Sequence, residues 1–323
     1  MKPKKPKPKT HSTQQKNARA LRRALWSITP ESCHPQKQSP LFSTLPPEIR
    51  FLIFEYAVTQ TSDYTFTLEK TSRHYRPGHE HPTRISTSLL LTCRLIYSET
   101  RAIPLLSTTH HLFGDDWNPV GWPQYLFHLS SQQGQNLYHL HATTSWDSMF
   151  DFSRLLLPHL HWRKLTWTLR VPTWQKPNDQ DYWSLVVDDL NLKCPLSVGF
   201  LPSSCREVNV EIELRADYDE PIGMLRERAA QYRSSEAQKR DGLRLPFDEE
   251  YSIEYTWDAM DFSERSDTGH YVARTYHVIR LCWRERVPER EYMHYDHVDC
   301  LRSKIFKPVI ERRAKDGEEA ELD

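Results

Sequence analysis

Val208-Asn209-Val210-Glu211-Ile212-Glu213-Leu214-Arg215 carries the strongest strand pattern in the chain. Apolar and polar residues alternate without a break, and side chains in a strand point to opposite faces in turn. Val208, Val210, Ile212 and Leu214 therefore share one face, expected in the core. Asn209, Glu211 and Glu213 share the other, expected in water. Upstream, Leu165, Trp167, Leu169 and Val171 alternate with Thr166, Thr168 and Arg170 in the same way. Downstream, Tyr251, Ile253, Tyr255 and Trp257 alternate, and 271–284 is a long β-rich run ending at Cys282-Trp283. Pro221 opens an amphipathic helix reaching about residue 238, with Ile222, Leu225, Ala229 and Tyr232 inward.

Ahead of these strands the pattern is helical. Ile49, Leu52, Ile53 and Tyr56 recur at i, i+3, i+4 and i+7, which predicts a helix over 47–58 with one apolar stripe. Proline is tolerated in its first turn, and Glu48 favours the positive helix end. Residues 64–69 alternate as a strand, 72–82 read as a loop, and Ser88–Tyr97 predicts a second helix burying Leu89, Leu90, Cys93, Ile96 and Tyr97. Pro104 breaks that run and leaves a short segment ending near Leu106. Ser145 is placed to cap a further helix at 146–157. Helices first, then strands with single helices between them, predict an α+β fold with a mostly antiparallel sheet and packed helices. No repeat of 20–50 residues is present.

Charge divides the 323 residues further. The formal net charge is zero, which argues against a nucleic-acid binder. Residues 1–40 nevertheless hold seven Lys and three Arg against one acid, Glu31, and the last eight residues hold five acids and no base. Like-charged ends with few apolar residues are expected to be disordered. The expected layout is a basic tail over 1–40, a helical region with an inserted strand and loop over 41–115, an α+β domain over 116–315, and an acidic end over 316–323. Lys4, Lys5, Lys7 and Lys9 resemble a nuclear-import signal, or form a solvated tail. An intracellular protein, in nucleus or cytoplasm, is expected.

Several function classes lose their support. Only nine glycines are present, with no GxGxxG and no GxxxxGK[ST], so nucleotide-binding loops are not expected. The six cysteines at 33, 93, 194, 205, 282 and 300 form no CxxC and match no zinc framework, and they read as reduced thiols. No apolar h-region follows the basic start, so no signal peptide is expected, and no apolar run approaches a membrane span.

Sixteen histidines invite a metal reading, through His79/His81, His139/His141, His159/His161 and His294-x-x-His297-x-x-Cys300. Zinc needs three or four convergent ligands, and no pair has a companion at a recognisable spacing, so no metal or other cofactor is expected. There is no GxSxG. Asp188-Asp189 and Glu249-Glu250 point to opposite faces if extended, so no catalytic residue is assigned and no enzyme is expected. Trp162, Trp167, Trp174 and Trp183 either fill a core or anchor a recognition surface.

Leu45-Pro46-x-Glu48-Ile49-x-x-x-Ile53-Phe54 resembles the first helix of an F-box, and Thr92-Cys93-Arg94 resembles that motif's later Val-Cys-Arg. Together with Leu90-Leu91-Thr92-Cys93-Arg94-x-Ile96-Tyr97-x-Glu99 the chain looks like a large family of uncharacterised F-box-like proteins of filamentous fungi. Lys164–Arg170, the Leu201-Pro202-Ser203-Ser204-Cys205-Arg206 turn and Asp241-Gly242 fit the same family. The likeness spans roughly 41–285. Phe54 and Cys93 stand 39 positions apart, further than the two halves of an ordinary F-box, and Ile96 stands where tryptophan is common. The resemblance implies a non-enzymatic interaction module, F-box-like over 41–115. Its Leu45, Pro46, Glu48, Ile49, Ile53 and Phe54 would bind the Skp-type adaptor of a cullin ubiquitin ligase, and the rest would present an unknown protein target. From the residues alone, this helix either docks a partner or packs against 88–97. The other readings are an F-box-derived binding protein with no ligase role and a metal-dependent enzyme built on the histidines.

Overall fold

A computed structural model describes residues 20–21, 23–70, 75–76, 79–114, 126–145, 157–171, 201–232, 245–265 and 271–285. The class is α+β: short helices, a six-stranded mixed sheet and a two-stranded one. Two compact units divide the chain. The helical unit takes Met1–Gln60 and Ile85–Pro104, and the sheet unit takes Thr61–Arg84 and Leu105–Asp323. Residues 61–84, expected as an insertion in the helical region, thus group with the sheet, and the helical unit ends at Pro104, short of 115.

The helical unit holds α1 (Pro40–Ser43), α2 (Pro47–Val58) and α3 (Arg94–Thr100), with a 3-10 turn at Ser88–Leu91; the run breaks at Arg101–Ala102, and α4 (Ile103–Ser107) restarts with Pro104 in its first turn. Phe54, Val58, Ile96 and Ile103 form its buried centre, flanked by Phe42, Phe51, Leu89 and Leu90. The expected 88–97 helix is interrupted because Cys93 is extended and caps α3, its sulfur accepting from the Ile96 N–H. Arg50 ties α2 to α3 by a two-pronged ion pair with Glu99, at 3.0 and 3.3 Å, and also donates to the Leu45 carbonyl. Order begins earlier than residue 39. Arg101 donates to the carbonyls of Leu25, Trp26 and Ile28 and lies over the Trp26 ring. The apolar Leu25, Trp26 and Ile28 among the bases are what the charge reading overlooked.

The sheet unit contains β1 (Thr61–Ser62) and β2 (Thr83–Arg84), paired antiparallel. Its large sheet is made from β3 (Thr109–Gly114), β4 (His139–Ser145), β5 (Lys164–Arg170), β6 (Glu207–Arg215), β7 (Glu254–Arg265) and β8 (Tyr271–Arg284). Its order is β3-β4-β5-β6-β8-β7. The expected antiparallel sheet is a correction: β3 to β6 run parallel, and only β8 runs antiparallel, to β6 and β7. Parallel neighbours need crossovers, and α5 (Ser131–Gly134) lies in the one between β3 and β4; α6 (Asp219–Tyr232) lies in the connection from β6 to β7, which skips the place that β8 later fills between them. The strand expected at 64–69 is irregular, and Tyr64 and Phe66 are exposed. Helix 146–157 falls almost wholly outside the described residues, as do Lys4–Lys9, 316–323, His294, His297, Cys300, Asp188-Asp189, Trp174, Trp183 and Asp241-Gly242. Among the described residues no helix is long and apolar enough to cross a membrane.

One sheet face carries the main core. Leu140, Leu165, Trp167, Val208, Val210, Ile212 and Leu281 pack with Leu137, Trp162, and Ile222 and Leu225 of α6. Trp162 and Trp167 are therefore core. Gly134 of α5 permits this packing, since a Cβ there would stand 1.9 Å from the His159 carbonyl oxygen.

Candidate functional site

Two surfaces carry the chemistry, one in each unit. The first is α2. A helix turns about 100° per residue, so Phe51, Phe54 and Val58 form one stripe, and Ile49, Leu52, Ile53 and Tyr56 form another on the opposite side. Phe54 is 1% exposed. Ile49, Leu52, Ile53 and Tyr56 are 44%, 48%, 44% and 89% exposed. The stripe expected from the periodicity is thus the outer one. Among the sequence-predicted docking residues, Pro46, Glu48, Ile49 and Ile53 are exposed, Leu45 is half-buried, and Phe54 is corrected to core. Pro46 is the residue before the first helical turn, with ψ near 152°.

The second is the other face of the large sheet. Glu211 and Glu213, expected in water, are 4% and 1% exposed, and Asn209 is buried with them. Every buried charge on this face is matched. Glu213 receives Arg76 at 2.8 Å and Arg170, and Glu211 receives Arg280 at 2.7 Å. Lys164 lies 3.1 Å from Glu207. Arg76 reaches the face from the 61–84 segment, its guanidinium over the Trp257 ring, and Tyr75 packs beside that ring. Burial alone would raise the Glu211 carboxyl. Arg280 and the Thr168 hydroxyl outweigh it and hold the group down at about 2. Burial also pushes the Cys282 thiol up to about 12.

Histidines gather at one end of this face. His111 of β3 and His141 of β4 are paired in register, and His79 comes from the 61–84 segment. Ring centroids are 4.3 Å apart for His79–His111, 5.0 Å for His111–His141 and 6.1 Å for His79–His141. His141 Nε2 lies 2.9 Å from the Thr168 hydroxyl, which donates to Glu211 at 2.6 Å. Burial pushes His141 down to about 4, so its ring is neutral at pH 7. His139, two positions earlier on β4 and therefore on the same face, has its two ring nitrogens on Thr109 and Thr166.

The structure therefore separates the sequence-noted pairs. His79 and His141 converge, while His81 bonds the Phe66 carbonyl and His139 bonds two threonines. His159 and His161 lie in a turn, and Glu249-Glu250 in an exposed one. His111 was not singled out in the sequence. Its only signal is the His110-His111 doublet, and only strand pairing shows which member shares a face with His141. Comparison with protein-family models, curated proteins and solved structures finds no match to the chain.

Proposed function

We propose that this chain is a non-enzymatic protein-interaction module, and that α2 docks the Skp-type adaptor of a cullin ubiquitin ligase. One observation carries the reading: Ile49, Leu52, Ile53 and Tyr56 form an apolar stripe on the outside of a helix whose inner stripe already fills the core. A helix apolar on both sides has one side left for a partner. Burying the exposed halves of those side chains contributes roughly 1 kcal/mol apiece. The F-box-like sequence Leu45–Phe54 names the partner class, and the exposed Pro46 and Glu48 border the same stripe. Glu99, part of the family-like pattern, clasps Arg50 and so fixes α2 against α3. The sheet unit then presents a protein target, and Lys4, Lys5, Lys7 and Lys9 direct the chain to the nucleus.

Co-purification of the full chain with a purified Skp-type adaptor tests this. Wild type captures the adaptor. Ile53→Glu and Leu52→Glu lose capture while keeping the wild-type circular dichroism and melting profile. A wild type that captures no adaptor, or an Ile53→Glu variant that captures it as well as wild type, ends the ligase reading and leaves a binding protein of F-box ancestry. Nuclear enrichment of a fluorescent fusion should fall when the four lysines become alanine.

A further inference from the structure

We propose that His79, His111 and His141 form a binding site for one divalent transition-metal ion of the zinc class, with three imidazole ligands and an open fourth position. Among the described residues these three are brought together so that one ligand nitrogen from each lies within 4.8 Å of the others. Around a tetrahedral zinc with bonds of about 2.0–2.1 Å, ligand nitrogens stand roughly 3.3 Å apart. Small side-chain rotations close that difference. The two strand ligands are held by backbone register, since His111 and His141 are Cα partners across parallel β3 and β4. The third arrives from residues 61–84, where the His79 N–H bonds the Arg76 carbonyl. Arg76 is itself tied to Glu213, so the segment carrying His79 is fixed to the same sheet.

The arrangement beyond the ligands suits a metal. Thr168 gives its hydroxyl proton to Glu211 and so accepts from His141 Nε2–H. That relay sets the His141 tautomer and leaves Nδ1 with the lone pair. A carboxylate acting on the far nitrogen of a ligand histidine, here through one hydroxyl, orients the ring and raises its basicity. Glu211 lies 3.9 Å from His141 Nε2 and supplies negative charge close to the site. The neighbouring His139 has no comparable role, because threonines occupy both its ring nitrogens. Imidazole ligands favour zinc, copper, nickel and cobalt over magnesium or calcium, which require oxygen. Three protein ligands with an open position leave room for water or an anionic group on the metal. The ion joins residues far apart in the chain, so its binding adds directly to the stability of the sheet unit.

Metal-free full-length protein titrated with Zn2+ against a chromophoric chelator should take up one ion per chain at this site. His79→Ala, His111→Ala and His141→Ala should each weaken that uptake at least tenfold, and Thr168→Val severalfold. His139→Ala should leave it unchanged. Zn2+ should raise the melting temperature of wild type but not of His79→Ala, whose substitution lies in an irregular segment and spares the strands. Co2+ should give the visible absorption of a four-coordinate site in wild type alone. No saturable uptake by wild type at micromolar free Zn2+ overturns the site. So does a His79→Ala protein that keeps wild-type affinity and thermal shift, because the ion then sits on other histidines. Adaptor capture through α2 is a separate measurement and stands or falls independently.

Discussion

The two faces of the large sheet use the same strands and bury comparable numbers of side chains, but by opposite means. On one face Val208, Val210 and Ile212 pack into an aliphatic and aromatic core with α6. On the other, Asn209, Glu211 and Glu213 are equally hidden; the two carboxylates depend on Arg76, Arg170, Arg280 and Thr168, and Asn209 donates to Glu207. Removing apolar surface from water is favourable without any specific partner. A buried charge is tolerated only while its partner remains, and a well-matched pair is often no more stabilising than apolar residues of the same volume. The apolar face should therefore respond to volume and to any inserted charge. The polar face should respond to broken pairs.

The largest expected effect is at Val210→Asp. A carboxylate among Trp167, Ile212 and Leu281 meets no partner, costs several kcal/mol, and should abolish cooperative unfolding of the sheet unit. Chemical denaturation monitored by tryptophan fluorescence measures this, and a stable Val210→Asp protein would break the comparison. Next comes Glu211→Ala, which leaves the half-buried Arg280 and the buried Thr168 hydroxyl without their acceptor and should cost about 1–3 kcal/mol. Adding Arg280→Met should recover most of that loss, and a double variant no better than the single would show that Glu211 acts through something other than charge. The same contrast of inner and outer faces holds on α2. Phe54→Ala should cost about 3–5 kcal/mol, while Ile53→Ala should stay within about 1 kcal/mol. Equal losses would mean that the outer stripe is core as well.

The effect that vanishes at neutral pH concerns Cys282, which lies on the polar face opposite Asn209 and is fully buried. An unfolded chain ionises this thiol near its ordinary 9, but the folded protein holds the proton until about 12. The unfolded state thus binds fewer protons in that window. Stability should fall as pH rises from 9 to 12 and be insensitive to this group below 9. At pH 8, alkylation followed by mass spectrometry should label the partly exposed Cys33 well before Cys282. Comparable rates at the two thiols would show the polar face to be open to solvent.

Strong periodicity made β5, β6, β8, α2 and the start of α6 legible before any coordinates. What periodicity gave was the chemistry of a face, not its exposure. The burial of Glu211 and Glu213 was not legible because alternation cannot show a cover arriving from Tyr75, Arg76 and His79. On α2 eight apolar residues surround the helix, so periodicity is compatible with either stripe facing inward, and the Phe51–Val58 series is the shorter of the two. β3 and β4 were missed because Thr109-His110-His111-Leu112 and His139-Leu140-His141-Ala142-Thr143 carry few of the β-branched and aromatic residues that mark a strand. Without those two strands the parallel half of the sheet was invisible. The convergence of the three histidines was equally hidden: His79 and His141 stand in separate pairs and His111 in none, and positions 79, 111 and 141 meet only through strand register and the return of a distant segment.

Arg76 and Glu213 are separated by 137 positions. At about 5–20 residues per second, a ribosome that has just placed Arg76 needs roughly 7–27 s more to reach its carboxylate partner. Throughout that interval the guanidinium has no buried counter-ion and is most stable in water. The nascent chain must therefore build β3, β4, β5 and β6 before Tyr75, Arg76 and His79 can settle on them, although those residues leave the ribosome first. A chaperone or solvent shell that keeps this early segment hydrated would assist assembly, and premature collapse onto it would trap the chain with an unneutralised charge inside.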